Sequence, residues 1–405
     1  MSAAGSVGAH MSPAGPPQGA KAPSGGSEPR AAGSVGVRQL LLLGAGHAHV
    51  QVLAQMARAP WAGVQVTLVA PYDRQLYSGM VPGFVAGHYA LDDCVIPLQP
   101  LLRRAGVRWL QRSVQALDAQ AQQVRLDDGS VLHYDWLSLN TGPVQDRARL
   151  EQSLPGAREH ALFLRPIEGF GALWPQVVQL GQARPLRITV IGAGAAGIEL
   201  AMAIRHRLPK SAVTLLCGGT PLGAGYHPRV QQRLRQALLA RQVTLLPDSA
   251  VGIQAGAVRL ASGASLACDV PLLATGAQAP AWLQGSGLAL DDAGFVAVDA
   301  FQRSTSHAAV FAAGDVSSRT DRSLARSGVY AVRAGPALAQ NLAAAVANQP
   351  PTAHQPPART LNLISCGDRW AIASWGAYSA QGRWVWWLKD WIDRRFLRRY
   401  RTPMA

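Results

Sequence analysis

The hydrophobic pattern of the chain becomes regular at residues 39–50, QLLLLGAGHAHV. Four consecutive leucines with no polar interruption predict a strand buried on both faces, and the Gly-Ala-Gly that follows predicts its exit into a helix N-terminus. A helix over 50–58 and a parallel strand over 64–69, VQVTLV, come next. The pattern then gives a helix over 98–105, a strand over 107–110, a hairpin around the turn at 127–130, and a strand over 135–141 that ends in Asn140-Thr141-Gly142.

The same design recurs. After a polar, proline-interrupted crossing at 143–166 and a helix over 167–180, residues 187–201 read RITVIGAGAAGIELA, a second strand, glycine loop and helix. A strand at 213–217, a helix at 229–241, a strand at 243–246, a hairpin over 258–267 and a strand at 270–275 follow. The last ends in Ala274-Thr275-Gly276, an echo of Asn140-Thr141-Gly142. A final apolar run, VFAAGDV at 310–316, predicts a buried strand that delivers Gly314 and Asp315 to a sheet's carboxyl edge, where open parallel sheets bind ligands.

These elements define the α/β class, with two Rossmann-like domains, the second inserted in the first. Residues 37–155 and 281–350 form the first, 156–280 the second, and 351–405 a C-terminal region with an amphipathic helix. Residues 1–36 are Gly, Ala, Ser and Pro with few charges, too little apolar surface to offset the entropy of ordering, so disorder is expected there.

A length of 405 residues with 48% hydrophobic content suits two or three domains with real cores. No run of about 18 uncharged apolar residues occurs, and no charged n-region precedes an apolar h-region. The expectation is a cytoplasmic protein. The four cysteines, Cys94, Cys217, Cys268 and Cys366, are scattered without a C-x-x-C pair, so neither a zinc site nor a local redox disulfide is expected. The net charge of +15 is concentrated in part at 383–401, which holds seven Lys or Arg against Asp390 and Asp393. No nucleic-acid motif accompanies it, so no nucleic-acid partner is expected.

The glycines carry the candidate chemistry. Gly44 allows a tight turn and Gly46 lets backbone N–H groups approach a pyrophosphate, whose charge the helix dipole favours. The third position of this G-x-G-x-x-G is His49, whereas Gly192, Gly194 and Gly197 complete the second motif. The candidate cofactor contacts are therefore Gly44, Gly46, His49, Thr141 and Gly142 in the first unit. Gly192, Gly194, Gly197, Thr275 and Gly276 belong to the second, with Gly314 and Asp315 from the late strand. Asp315 suits both a hydrogen bond to a sugar or ribityl hydroxyl and an N-cap of the next helix. A Rossmann strand usually ends in an acid for the ribose; here it runs into Ala70 and Pro71, with Asp73 beyond, and the second unit ends in Cys217-Gly218-Gly219. Residues 76–83, LYSGMVPG, read as a loop, either an ordinary turn or a cover for a cofactor.

Two G-x-G loops, two strand-Thr-Gly endings and a late A-A-G-D in this order resemble the two-dinucleotide-binding flavoproteins of the pyridine nucleotide-disulfide oxidoreductase superfamily, over roughly residues 38–345. The resemblance implies FAD on Gly44 and Gly46 with Asp315 at the ribityl chain, and NAD(P)H on Gly192, Gly194 and Gly197. Lacking the C-x4-C pair of the disulfide members, the chain is more similar to the type II NADH dehydrogenases, in which hydride passes to flavin and electrons leave to an acceptor. By that likeness Glu199 lies near the flavin and nicotinamide rings as the candidate catalytic residue, to orient the nicotinamide or pass a proton; a plain helix-face glutamate is the other reading. Val329 and Arg333 stand where the quinone-site glutamines of that branch would be, which leaves the small-molecule acceptor undetermined. His47 and His49, YSGMVPG at 77–83 and GVYAVRAG at 328–335 look most like a subgroup associated with selenide, water dikinase.

In the tail, Trp384, Trp387, Leu388, Trp391 and Ile392 share one helical stripe opposite Lys389, Asp390, Asp393 and Arg394. A Trp face beside an Arg cluster suits an anionic membrane surface, with peripheral attachment, and also suits docking on the protein's own core.

Overall fold

The computed structural model describes residues 37–275 and 278–401, so the segment expected to be disordered, 1–36, and the candidate Gly276 lie outside the described residues. The leucine run forms the strand Arg38–Leu43, and its last four side chains are buried because both faces of the sheet are covered: helices pack on Leu40 and Leu42, and antiparallel strands within 114–133 pack on Leu41 and Leu43. That sheet is parallel, in the order Val310–Ala312, Trp136–Leu139, Arg38–Leu43, Val64–Val69 and Arg108–Leu110.

A second parallel sheet has the order Leu162–Phe163, Val270–Leu273, Arg187–Ile191, Ala212–Leu216 and Val243–Leu246. All its strands fall between Trp136–Leu139 and Val310–Ala312, so the second Rossmann-like unit is inserted in the first. In each unit a three-stranded antiparallel sheet, 114–133 and 250–267, precedes the Thr-ended strand or its equivalent. One apolar core runs from Leu40 and Leu53 through Val190 and Ile198 to Ile364 and Phe396.

Two local differences from the sequence expectation bear on the site. Residues 76–83 are not a plain loop: a 3-10 turn, Ser78–Met80, leads into the short helix Val81–Val85, whose Pro82 stands in the first turn where its missing N–H costs nothing. Asp315 caps no long helix, because it sits in the turn Gly314–Val316 and the following helix, Gly328–Val346, has Ser327 at its N-cap.

The chain ends in an antiparallel sheet, Asn362–Ser365, Ala371–Trp375 and Tyr378–Gly382, and the helix Arg383–Arg401. This helix docks on the side that carries Lys389 and Asp393, because Val385, Trp386, Phe396, Leu397 and Tyr400 lie on that same side and are buried with them. The stripe of Trp384, Trp387 and Trp391 faces outward at 58%, 64% and 50% exposure. Among the described residues no helix is long and apolar enough to cross a membrane.

Candidate functional site

The two glycine loops are built alike. Gly44, at φ +83°, donates its N–H to the Val69 carbonyl (2.8 Å), and Gly192, at φ +120°, donates to that of Leu216 (3.0 Å). Each lies over the end of its Thr-ended strand. A Cβ on Gly44 would stand 2.5 Å from Thr141 Cα, and one on Gly192 would stand 2.8 Å from the Ala274 carbonyl oxygen. The echo of the strand endings thus has a steric reason: the strand passes so close beneath the turn that only glycine fits. Gly197 packs on the carbonyl of Gly192, where a Cβ has no room, and Gly46 similarly abuts Asn140.

Asn140 is the residue that sequence reasoning missed. Its Oδ1 accepts from the N–H groups of Ala48 (3.0 Å) and His49 (3.1 Å), and its Nδ2 donates to the Ala313 carbonyl (2.6 Å). Its own carbonyl accepts from Gly46 N–H at 3.1 Å. One side chain therefore caps the His47–Arg58 helix, which has no cap of its own, and ties it to the Gly314–Asp315 turn. The signal was available: the first repeat has Asn where the second has Ala274.

His49 is fully buried beneath the loop, with Nδ1 at 2.6 Å from the Gly44 carbonyl and Nε2 at 2.8 Å from Ser138 Oγ. Both ring nitrogens and the backbone N–H are engaged within the protein, so its side chain supports the loop from below. Burial lowers it to about 4, so the ring is neutral.

Both loops fit a polar anionic ligand. In the first, the N–H groups of Ala45 and His47 have no partner among the described residues; in the second, those of Gly194, Ala195, Ala196 and Gly197 have none, and neither does the buried Oγ1 of Thr275. Donors gathered at a helix N-terminus make an anion seat. Thr141 is half-buried with its Oγ1 on the Gly142 carbonyl (3.3 Å), and Gly142 turns the chain at φ +72°. Gly314, at φ +74°, brings its backbone against Asn140, since a Cβ there would be 2.8 Å from Nδ2. The Asp315 carboxyl beside it is raised by burial, while Arg165 and Arg326 draw it down. Asp73 is exposed.

Glu199 is not a surface glutamate. Its Oε1 accepts the Ser365 N–H at 2.7 Å, and burial pushes it up to about 7 against the opposing pull of Lys389. Lys389 comes from the C-terminal helix. Its ammonium donates to Asp393 Oδ2 (2.6 Å) and to the Gly79 carbonyl (2.5 Å), and the hydroxyl of Tyr77 donates to Asp393 Oδ1 (3.1 Å). Tyr77 stacks on Phe396 with centroids 4.7 Å apart and meets His47 edge-on at 5.3 Å. The last helix thus closes over Tyr77 and Gly79 beside the first glycine loop, and its Lys389 acts electrostatically on Glu199. The four cysteines are free, and the described residues hold no group of three potential metal ligands.

Two parallel α/β units, one inserted in the other and each with a glycine cradle at its first strand, define a protein built around two nucleotide seats. The chain belongs to the pyridine nucleotide-disulphide oxidoreductase family, which it matches over residues 38–344. It is 29% identical over 242 residues to an NADH dehydrogenase-like protein of Mycobacterium tuberculosis, a stretch that spans 56% of this chain and only 59% of that one. It is 28% identical to the ferredoxin–NAD(+) reductase component of an anthranilate 1,2-dioxygenase system from Burkholderia cepacia, covering 83% of this chain and 78% of that one. Its fold is similar to that of the sulfide:quinone oxidoreductase of Aquifex aeolicus, with a TM-score of 0.73 at 16% identity, covering 90% and 91% of the two chains.

Proposed function

We propose that this chain is an FAD-dependent oxidoreductase that accepts hydride from NAD(P)H and passes electrons to a separate acceptor. The observation that carries this reading is the pair of glycine cradles with unpartnered N–H groups, joined through one apolar core, with the half-buried Glu199 on the helix that leaves the second cradle. Residues 37–155 and 281–350 hold FAD: Gly44, Gly46, Thr141 and Gly142 at the pyrophosphate, Gly314 and Asp315 at the ribityl chain, with His49 supporting the loop from below. Residues 156–280 hold NAD(P)H through Gly192, Gly194, Gly197, Thr275 and Gly276. Bound flavin supplies the two-electron chemistry; the protein supplies position and exclusion of water. Glu199 orients the nicotinamide or holds a proton beside it.

The acceptor is a small molecule or a protein. Val329 and Arg333 in place of glutamines weigh against a quinone site of the usual type II kind. Attachment to an anionic membrane is supported by the outward Trp384, Trp387 and Trp391, with the Arg395 guanidinium 5.1 Å from the Trp391 ring. A cytoplasmic protein peripheral on the inner face of the membrane fits this surface.

A second reading, a redox-regulatory or delivery flavoprotein of selenium or sulfur metabolism linked to selenide, water dikinase, is favoured by one arrangement. The three segments that carry that resemblance meet in space: His47 contacts Tyr77, and Gly328 lies against Ser78. The two readings part in one experiment. The purified protein, yellow with a band near ~450 nm, is mixed anaerobically with NADH or NADPH. Rapid bleaching is expected of the dehydrogenase. A flavin unaffected by both supports the regulatory protein, and a preparation that remains colourless with added FAD ends both.

A further inference from the structure

One ammonium is paired with a buried carboxylate, Asp393, and acts electrostatically on a second, half-buried one, Glu199. The Lys389 side chain is 13% exposed and that of Asp393 7%, and they stand four residues apart on the same helix face. Asp393 has the stronger hold: it accepts from both Lys389 and Tyr77, whereas the hydrogen bond recorded for Glu199 is the Ser365 backbone N–H. The Gly79 carbonyl takes a further ammonium proton and fixes its direction. We propose that Asp393 is a positioning residue: by holding the Lys389 ammonium at its own carboxylate, it withholds that charge from Glu199 and leaves Glu199 able to carry a proton.

The surrounding groups agree. Facing Glu199 are Lys389 and Asp393 from the C-terminal helix, together with Tyr226 and Cys366, and of these only Lys389 is a cation. Asp390, the other acid near Lys389, is engaged elsewhere, by the Tyr89 hydroxyl at 2.6 Å and by Arg394 at 2.9 Å. Tyr77 faces Tyr400 as well as Asp393, and burial keeps its hydroxyl protonated, hence a donor. Lys389 pulls the Glu199 carboxyl down and Asp393 pushes it up, so the division of one charge between them sets where Glu199 titrates. The functional meaning of that proton, a charge beside the nicotinamide, rests on the oxidoreductase reading.

The test uses the full-length, flavin-loaded protein with 13C at the glutamate carboxyls. The chain has five glutamates, so Glu199 is one of five resonances and is assigned by its loss in Glu199→Gln. In Asp393→Asn the freed ammonium turns to Glu199, whose titration midpoint is expected to fall by about one pH unit or more. In Lys389→Met the midpoint rises, and adding Asp393→Asn to that background moves it much less than in the wild type. An unmoved or raised midpoint in Asp393→Asn overturns the proposal, as does an equal shift in both backgrounds, which would mean a direct field and no role for the ammonium. If Asp393→Asn does not fold, Lys389→Met decides, since an unmoved Glu199 there overturns it. Failure of the oxidoreductase reading is seen separately, as wild-type flavin that neither nicotinamide nucleotide bleaches.

Discussion

Replacing Asn140 with alanine removes three side-chain hydrogen bonds at once, two from the first turn of the His47–Arg58 helix and one to the Ala313 carbonyl. All the atoms involved are buried, so water cannot take the place of the amide. Loss of a helix cap costs about 0.5–2 kcal/mol, and a buried carbonyl left without its donor adds about 1–3 kcal/mol. The expected loss is about 3 kcal/mol, measured by urea unfolding of the apoprotein. The same side chain holds the helix N-terminus against the Gly314–Asp315 turn, so FAD affinity should fall by at least about tenfold, ~1.4 kcal/mol, in a fluorescence titration. Asn140→Asp separates the two roles. Its oxygen still accepts both helix N–H groups and its charge suits a helix N-terminus, but its second oxygen faces the buried Ala313 carbonyl where the donor stood, so it should cost at least as much as alanine while keeping the helix cap. The reasoning is refuted if Asn140→Ala unfolds within 0.5 kcal/mol of wild type, roughly the scatter of neutral surface changes, and binds FAD unchanged.

Burial holds both His47 and His49 at about 4, below the 6.5 of an unfolded histidine. The folded state then binds fewer protons, so stability present above pH 6.5 is lost as the pH falls through 4, at about 1.4 kcal/mol per unit for each ring. Urea unfolding between pH 7 and 4.5 should show this decline, with a slope shallower by about one proton in His49→Gln; a level wild-type profile contradicts it. Changing Trp384, Trp387 and Trp391 together to serine should leave stability within about 1 kcal/mol, since all three are exposed. It should abolish co-sedimentation with phosphatidylserine vesicles, and undiminished sedimentation of the variant would remove the membrane reading.

The parts of the fold that rest on local periodicity were legible before any coordinates. Four leucines predict a doubly buried strand whatever surrounds them, and Val64–Val69 and Leu98–Ala105 were read to the residue. The short helix at Val81–Val85 was not, because five residues around a proline carry no helical period and are held by packing, with Gly83 beneath the Tyr89 ring. The last helix shows a subtler failure. Its sequence holds two apolar stripes, the tryptophans on one side and Val385, Trp386, Phe396, Leu397 and Tyr400 on the other, and periodicity cannot say which one turns inward.

By itself the sequence determined the class and the repeat. Glycine loops, strand endings and their order are local signals, and Gly44, Gly46, Gly192 and Gly197 are each required by a close approach of neighbouring backbone that leaves no room for a Cβ. Only the tertiary structure decided which polar groups share a site. Asn140 reaches a helix 92 residues earlier in the chain, and Tyr77 meets Asp393 across 316 residues, to settle where one buried charge resides. Such pairings depend on distance and burial in the folded chain, and spacing along the sequence records neither.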